Sequence, residues 1–380
     1  MHIRMYNCYF GDCFKIENSN GNDLLVDFGI YPGSSGTVNP EDRFDDIFND
    51  LSGKSIDFLL SHYHEDHYNG VVYINDQYGY KFDDVYIPDI WKIPGSIPAV
   101  SLHLLKMILD RSKMGSSTTL FSFLNAICKN HSIIHFVKRG MSIQEQYIAL
   151  WPDKGYVTDR AEKLLADIQK GYGFSEADIE SLSKYSKDLI QIVLTVETGD
   201  YQGDTMISRI NDLEQEFLNH KWDFVPENFS RGVIYKLHDF GNNISIVFQN
   251  IEDKYSDNLL FTGDFGNRKR LWNKIERNFD KNSACEMHPL YHAIKVGHHG
   301  TRDYYHSYAG RIKEDSYLLI PNDGENMNWP ICSDYSLNAV TYDVHVICST
   351  ANLCEARAKN CVCTCTKKDI IDPGVYLDIY

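Results

Sequence analysis

The chain has 380 residues, 43% of them hydrophobic and 24% charged, which suits one large globular domain with room for insertions. Its formal net charge of -16 argues against broad electrostatic capture of duplex nucleic acid, which needs many lysines and arginines. It does not exclude a local phosphate site, because bound cations neutralise a phosphate at the point of reaction.

The sequence also argues against export and membrane insertion. No stretch approaches about 18 consecutive apolar residues, and residues 1–7 lack an apolar stretch behind a basic start. We therefore expect a cytoplasmic protein without a membrane-spanning segment. In that compartment the ten cysteines are expected to be reduced thiols.

The amino-terminal part predicts a β-hairpin, a helix and a buried strand. Residues 8–16 and 24–29 have the pattern of two strands around the polar turn at 18–22. Residues 39–51 place apolar side chains at helical spacing behind a capped start. The apolar run at 56–60 then predicts a short buried strand.

Four potential metal ligands follow that strand: His62, His64, Asp66 and His67. His62 and His64 are two residues apart on an extended segment, so their side chains share one side and can converge on one ion. After the turn that the chain must make next, Asp66 and His67 point to a second position nearby. This spacing is far more specific than a lone histidine, so we reject a chance cluster on a solvated loop.

The middle of the chain is predicted to alternate helices and strands, and its composition changes at residue 153. Helices are predicted at 71–78, 102–109 and 120–127, and strands at 84–88, 133–137 and 147–152. The isolated histidines of this part, His103, His131 and His135, are expected to be packed or surface residues. Residues 153–232 are rich in charged side chains and predict an inserted helical segment, a type of insertion that caps pockets or makes oligomer contacts.

The β pattern resumes after the insertion. Further strands are predicted at 233–237, 244–248, 317–321, 344–348 and 374–380, with a turn at 239–243. The run that starts at Leu259 delivers Asp264 at a strand end, and the run that starts at Ile294 delivers His298 and His299 in the same way. Together with the first cluster, these three strand ends predict one metal site.

Four cysteines cluster before the carboxyl terminus, namely Cys354, Cys361, Cys363 and Cys365. The alternation of the last three with β-branched residues would put three thiols on one strand face. That spacing differs from the two-residue gap of zinc knuckles. We favour reduced structural thiols, and a second metal site remains the alternative.

The order of these motifs resembles the metallo-β-lactamase-fold hydrolases. The resemblance implies an α/β fold, a four-layer αββα sandwich, formed here by a single domain over residues 1–380 with the helical insertion at 153–232. It implies two divalent metal ions, with His62 and His64 on the first ion and Asp66 and His67 on the second.

The resemblance also implies roles for the remaining candidates. Asp264 is expected to be shared by the two ions, and Asp27, at a strand end, to brace the histidine loop from behind. We choose His298 as the last ligand of the second ion because it directly ends its strand. His299 is then expected to contact substrate or act as general acid, and Asp66 to orient the attacking water besides binding metal.

Shorter phrases resemble one branch of that family, the hydrolase domain of the bacterial competence DNA-uptake channel. They are Gly11-Asp12, Asn242-Asn243-Ile244-Ser245, Thr262-Gly263-Asp264 and the run from Lys295 to Gly300. Two departures stand out. The chain lacks the further histidine that many relatives carry before the shared aspartate, for which His238 is the nearest substitute. Trp329 stands where the competence branch has a histidine.

These ligands imply hydrolysis by a metal-activated hydroxide. Imidazole and carboxylate donors suit zinc, which we favour, and also manganese or iron. The competence resemblance favours a phosphodiesterase, either a nuclease or a nucleotide phosphodiesterase, with a nucleic acid or nucleotide as substrate. Two alternatives stay open: a hydrolase of another ester class (lactone, β-lactam or thioester) and a catalytically silent binding protein of the same fold. Partner proteins or a homo-oligomer are expected through residues 153–232.

Overall fold

The computed structural model of the protein describes residues 2–19, 21–31, 39–114, 118–129, 132–172, 174–197, 203–266, 269–322, 331–335, 341–348 and 376–379. The cysteine cluster at 354–365, Trp329 and His131 lie outside the described residues. The strands are β1 (His2–Tyr6), β2 (Cys13–Glu17), β3 (Asp23–Phe28), β4 (Ile56–Leu59), β5 (Asp84–Pro88), β6 (Ile133–Val137), β7 (Ser142–Ile143), β8 (Tyr147–Trp151), β9 (Val247–Asn250), β10 (Leu259–Phe261), β11 (Ala293–Lys295), β12 (Tyr317–Ile320), β13 (His345–Cys348) and β14 (Tyr376–Ile379).

These strands form two seven-stranded mixed sheets, so the fold is α/β, as predicted. The first sheet has the order β14-β1-β2-β3-β4-β5-β6, and the second has the order β13-β12-β11-β10-β9-β8-β7. In the first sheet the strands from β3 to β6 run parallel, and in the second those from β10 to β13. The remaining neighbours in both sheets pair antiparallel. Ligand sites of open α/β sheets lie beyond the carboxyl ends of such parallel strands.

The helices confirm most of the predicted pattern. They are α1 (Pro40–Leu51), α2 (Asn69–Tyr78), α3 (Ser96–Met114), α4 (Leu120–Lys129), α5 (Lys154–Tyr172), α6 (Glu176–Glu197), α7 (Gly203–Asn219), α8 (Arg231–Asn243) and α9 (Lys269–Glu276). Helix α1 shows why the local sequence is helical. The Asn39 side chain accepts a hydrogen bond from the Glu41 backbone N–H at its start, and Phe44, Ile47 and Leu51 bury one face.

The two sheets pack face to face, with helices on the outer face of the first. Phe14 of β2 meets Phe261 of β10 edge-on between the sheets, with ring centroids 5.3 Å apart. The outer face of the first sheet and helices α1 to α8 share one buried apolar cluster. A second cluster covers the outer face of the other sheet and includes Leu271, Trp272 and Ile275 of α9. None of the helices in the described ranges has the length and apolar character needed to cross a bilayer.

The helices at 154–219 pack on the rest of the chain rather than standing apart from it. The Ser101 hydroxyl of α3 and the Ser186 hydroxyl of α6 share a buried hydrogen bond of 2.8 Å. The Asn125 amide of α4 donates to Asn211 of α7 at 2.6 Å. The inserted helices therefore extend the helical layer that covers the first sheet.

The predicted strand at 233–237 and the predicted turn at 239–243 are wrong, because these residues form helix α8. Val233, Leu237 and Phe240 are buried at spacings of four and three residues, which is the period of a helix face. Tyr235, between them, is 49% exposed. The helical segment that begins after β8 thus continues to residue 243 instead of 232, and the following strand, β9, begins only at Val247.

Candidate metal centre

The predicted ligands meet at the carboxyl ends of parallel strands. Asp27 lies near the end of β3, and the His62 loop follows β4. In the other sheet Asp264 follows β10, and His298 and His299 follow β11. Because β3 and β4 are parallel, as are β10 and β11, and the two sheets face each other, these ends deliver their side chains to one place.

Asp264 carries the central oxygen of the site. Its Oδ2 lies 3.4 Å from Nε2 of His67 and 3.4 Å from Nε2 of His299. The same oxygen lies 3.9 Å from Nε2 of His62 and 3.9 Å from Nε2 of His298. These separations are long for hydrogen bonds, and the shorter ones suit donors that share one ion at roughly 2.0–2.2 Å each.

Four buried imidazole nitrogens of the site have no hydrogen-bond partner. They are the Nε2 atoms of His62, His64, His67 and His299. His64 is the most exposed of the four residues, at 5%. Buried polar groups in folded proteins nearly always have a partner, so four orphaned nitrogens, three of them within 4 Å of one carboxylate oxygen, need an explanation. A divalent cation facing them provides one, and the donor set of imidazole and carboxylate fits zinc, manganese or iron.

The potential ligand atoms of the described residues form four overlapping groups. His62, His67 and Asp264 place one ligand atom each within 4.8 Å of one another, and so do Asp66, His67 and His299. These two groups are of similar size, because Asp66 Oδ2 is 3.4 Å from His299 Nε2 and 4.0 Å from His67 Nε2, and Asp264 Oδ2 is 3.4 Å from His67 Nε2 and 3.9 Å from His62 Nε2. The other two groups contain Asp12, with Asp264 and His299 or with Asp27 and His67.

The two adjacent histidines after β11 occupy different environments. His299 is fully buried, and its Nδ1 donates to the Pro321 carbonyl at 2.9 Å, which leaves Nε2 to face the site. The His298 side chain is 14% exposed, and its Nδ1 hydrogen-bonds the Thr301 hydroxyl at 2.8 Å. Its ring stacks on Tyr304 with centroids 3.8 Å apart. The geometry therefore favours His299 over His298 as a ligand, the reverse of the sequence-based choice.

Asp27 lies behind the histidine loop, where the sequence predicts it. One carboxylate oxygen accepts a hydrogen bond from His67 Nδ1 at 2.9 Å, and the other accepts one from the Ser61 backbone N–H at 2.6 Å. The first contact directs His67 Nε2 toward Asp264, and the second holds the start of the loop. Carboxylates that hold a ligating histidine in this way are a general feature of metal sites.

The sequence analysis assigned no role to two buried charged residues of the site, Asp12 and Lys295. Asp12 Oδ1 lies 3.1 Å from His299 Nδ1, and its Oδ2 contacts the Lys295 ammonium. Lys295 also donates to the Gly263 carbonyl at 2.6 Å and lies 3.4 Å from Asp264 Oδ1. The sequence feature that could have pointed to these two residues is a single charged residue inside each of two apolar runs, residues 8–14 and 293–296.

The charges of the site shift the pKa values of its histidines in opposite directions. Burial lowers the pKa of His62 and of His64, the latter helped by His62 and Lys106. For His299 burial also lowers the pKa, but Asp264, Asp12 and other acceptors outweigh it and raise the value to about 10. Carboxylates likewise raise the pKa of His67 well above its usual value. The second group is thus the more negative position, and it attracts cations more strongly.

Three residues of the site have a backbone conformation that side chains disfavour. Asp27, His298 and His299 have φ values of 56°, 43° and 52°. Such residues cost of order 1–3 kcal/mol each and cluster at functional sites. Here the conformation turns three side chains at strand ends toward the same site.

The remaining candidate histidines lie at different distances from the centre. The His238 ring of α8 meets the His64 ring with centroids 4.9 Å apart. His103 packs against Tyr63, with centroids 5.2 Å apart. His135 stacks on Tyr86 and pairs with Asp84 in another part of the first sheet.

Comparison of the chain with protein-family models, with curated proteins and with solved structures found no match.

Proposed function

We propose that the protein is a metal-dependent hydrolase with a dinuclear centre, built on a four-layer αββα sandwich of the metallo-β-lactamase type. The observation that carries the proposal is the set of three buried imidazole nitrogens, those of His62, His67 and His299, that have no hydrogen-bond partner and lie within 4 Å of Oδ2 of Asp264. The two face-to-face mixed sheets, with helices outside them, are consistent with that architecture.

The geometry suggests which residues hold which ion. His62 and His64 serve the first ion, and Asp66 and His67 serve the second, as in the sequence-based assignment. His299 replaces His298 as the last ligand of the second ion, because its Nε2 is 3.4 Å from Asp66. Asp264 would contribute to holding both ions through its other oxygen, Oδ2, since Lys295 engages Oδ1 of that carboxylate.

Charge balance supports two ions rather than one. The carboxylates of Asp12, Asp27, Asp66 and Asp264 and the ammonium of Lys295 leave three net negative charges when the histidines are neutral. One divalent cation leaves the site negative, whereas two leave a single positive charge. A buried net charge is costly, and one monoanion neutralises this one. The hydroxide that the two ions would supply is such an anion.

Bound divalent ions supply a nucleophilic hydroxide at neutral pH and a Lewis acid for the oxygen of the scissile group. The protein's own residues orient this chemistry. The Asp66 side chain, 14% exposed, lies at the exposed edge of the site, where it can orient a water molecule as well as bind metal. His298 is exposed to the same extent, so its Nε2 is placed to contact the substrate.

Phosphodiesters are the substrate class we propose, with a nuclease or a nucleotide phosphodiesterase as the activity. The support is the resemblance of the motifs to the competence branch. A small cavity beside the site is lined by Lys106 and Arg111 of α3 and by Glu65 and Asp110, and Lys106 pairs with Asp110. A nucleic acid or a nucleotide can bind at the site through its phosphate alone. It then needs few contacts with the rest of the protein, whose net charge is negative.

The test is a hydrolysis assay on metal-depleted protein reloaded with Zn²⁺ or Mn²⁺. We expect cleavage of bis(p-nitrophenyl) phosphate and of a nucleic acid or nucleotide substrate, and its loss in Asp66→Ala and His62→Ala. His135→Ala is the control, because that histidine pairs with Asp84 away from the site.

Metal-loaded protein that cleaves a lactone, β-lactam or thioester instead would reassign the substrate class. Inertness on every ester would indicate a silent binding protein.

A partner protein or a second copy of the chain at the 153–232 helices stays a separate proposal. Two apolar side chains at and next to the end of this segment are prominently exposed, Val225 at 48% and Tyr235 at 49%. Size-exclusion chromatography with light scattering on the purified chain tests self-association directly.

A further inference from the structure

A small cavity beside the histidine loop contains a buried imidazole. Three residues of the loop, Tyr63, Glu65 and Tyr68, line it together with His103 and Arg111 of helix α3. Its volume is about 30 Å³, which admits a water molecule or one small substituent but not a nucleobase. His103 is only 6% exposed, whereas Arg111 is exposed, so the cavity extends from the interior toward the surface.

The His103 ring presents an unpaired hydrogen-bond acceptor to this cavity. Its Nδ1 donates to the Ala99 carbonyl at 2.9 Å, and its buried Nε2 has no hydrogen-bond partner among the described residues. Because the Nδ1 edge is turned to the helix backbone, Nε2 is the nitrogen left to face the cavity. Burial, together with Lys106, lowers the pKa of His103 to about 4, so the ring is neutral at pH 7. A neutral imidazole carries one proton, so Nε2 can only accept.

The cavity favours a neutral group over a charged one. Lys106 and Arg111 bring two positive charges to its wall, and Glu65 and Asp110 bring two negative ones. Lys106 pairs with Asp110, four residues further along α3. Because the formal charges balance, the acceptor of His103 decides what binds, and it selects a neutral O–H or N–H donor.

The cavity adjoins the proposed metal centre. Burial raises the pKa of the Tyr68 hydroxyl, and nearby carboxylates, Asp66 among them, raise it further. Burial lowers the pKa of His64, and His62 and Lys106 lower it further. Since Tyr68 and Lys106 both line the cavity, its wall lies within electrostatic reach of two proposed ligands, Asp66 and His64. A substrate held at the metal centre can therefore place a substituent in the cavity.

A phosphodiester of a ribonucleotide offers one substituent of this kind. The ribose 2′-hydroxyl is neutral and small, it donates a hydrogen bond, and its carbon neighbours the one that carries the 3′-phosphate. Deoxyribose lacks this group. The amino groups of nucleobases are donors too, but each brings a ring that the cavity cannot hold.

We propose that this cavity is a subsite for the ribose 2′-hydroxyl of the substrate, with Nε2 of His103 as its acceptor, so that the protein prefers ribonucleotide over deoxyribonucleotide phosphodiesters. The inference rests on the proposed phosphodiesterase activity and narrows its substrate class. His103 is a substrate contact rather than a metal ligand, so its substitution should leave the metal content unchanged.

The test compares three dinucleotides that differ only at the sugar carbon beside the phosphodiester, which carries a hydroxyl, a hydrogen or a fluorine. The zinc-loaded wild type is expected to cleave the ribose form with a kcat/KM about tenfold above that of the deoxyribose form, the typical effect of one hydrogen bond. The fluorine has no proton to donate, so that form should behave like the deoxyribose form. His103→Phe should bring the ribose form down to the deoxyribose level and leave hydrolysis of the deoxyribose form unchanged.

A spectroscopic measurement supplies a readout without turnover. Uridine 3′-monophosphate should move the nitrogen NMR shift of His103 Nε2, because the lone pair gains a donor, and its 2′-deoxy counterpart should not. His103→Gln is the matched control variant, since its side-chain oxygen keeps an acceptor in the cavity and should retain part of the preference. Phenylalanine keeps the ring packing against Tyr63 and Phe240, and thermal melts establish that both variants are folded.

The possible outcomes separate the subsite from the activity on which it rests. Equal hydrolysis of the ribose and deoxyribose forms by the wild type, which requires no variant, would overturn the subsite and leave the phosphodiesterase activity in place. A preference that persists in His103→Phe would overturn the role of His103. No hydrolysis of any of the three forms would contradict the proposed function itself, and the subsite with it.

Discussion

Lys295 Nζ lies 3.4 Å from Oδ1 of Asp264, so one oxygen of this central carboxylate faces a fixed positive charge and the other faces the histidines. The ammonium is buried and also contacts Asp12 and the Gly263 carbonyl. Burial lowers its pKa, but Asp12 and Asp264 outweigh that effect and raise it, so the group stays charged. The lysine thereby orients Asp264 and offsets part of the negative charge that the ligands bring together.

Removing this charge should destabilise the metal-free protein. We expect Lys295→Met to lower the free energy of unfolding by about 3–5 kcal/mol, because Asp12 and Asp264 would remain buried without their cation. Urea denaturation of metal-free protein measures the loss. Lys254→Met is the control, since that side chain is 69% exposed and should contribute little. Equal effects of the two substitutions would contradict the structural role of Lys295.

The two histidines after β11 should respond differently to substitution. His299→Ala should lose the second ion, because its Nε2 faces both Asp66 and Asp264. His298→Ala should keep both ions and lower kcat or raise KM, since its ring lies at the edge of the site against Tyr304. Metal content after dialysis, measured beside steady-state kinetics, separates the two. Loss of metal in His298→Ala alone would restore the sequence-based assignment.

Asp27 should control metal affinity through His67. In Asp27→Asn one of the two accepting oxygens becomes an N–H donor, which opposes either the His67 or the Ser61 contact. We expect metal affinity to fall about 10–100-fold, measured by competition with a chromophoric chelator. Asp23→Asn, at the opposite end of the same strand, is the matched control and should leave affinity unchanged. If Asp27→Asn changed metal affinity as little as Asp23→Asn, Asp27 would have no role in positioning His67.

Metal binding should release protons. Without an ion, the pKa of His299 is raised to about 10 and that of His67 well above its usual value, chiefly by carboxylates that outweigh burial. The His299 ring is therefore protonated at pH 7, and an ion can bind to its Nε2 only as the ring loses that proton. Affinity should fall as the pH is lowered below 7. Calorimetry in buffers of different ionisation enthalpy measures the release, and buffer-independent heats would argue against it.

The stability of the metal-free protein should depend on pH in the opposite direction to metal affinity, so it should fall as the pH rises. A histidine whose pKa is raised on folding stabilises the folded state fully below its unfolded value of about 6.5. That contribution is lost as the pH rises through the folded value, about 10 for His299. The free energy of unfolding of the metal-free protein should therefore fall as the pH rises from about 6.5 to about 10. The free energy of unfolding of the metal-loaded protein should fall less over the same range.

The convergence of the candidate ligands could be predicted because each follows an apolar strand, and the strand period and motif order reveal them without coordinates. The choice between His298 and His299 was not predictable, since it depends on a left-handed backbone at both residues. Lys295 and Asp12 lie within otherwise apolar runs, where a pattern cannot show that the two charges meet. Residues 233–237 fit a strand as well as a helix over so short a window, and only their packing decides.

The most direct test of the central claim is a crystal structure of the zinc-loaded protein with anomalous difference maps at the zinc edge. The account predicts two peaks on either side of Oδ2 of Asp264, one beside His62 and His64 and the other beside Asp66, His67 and His299, each roughly 2.0–2.2 Å from its ligand atoms. An absence of peaks at these side chains in fully loaded crystals, or a single peak, would contradict the dinuclear centre.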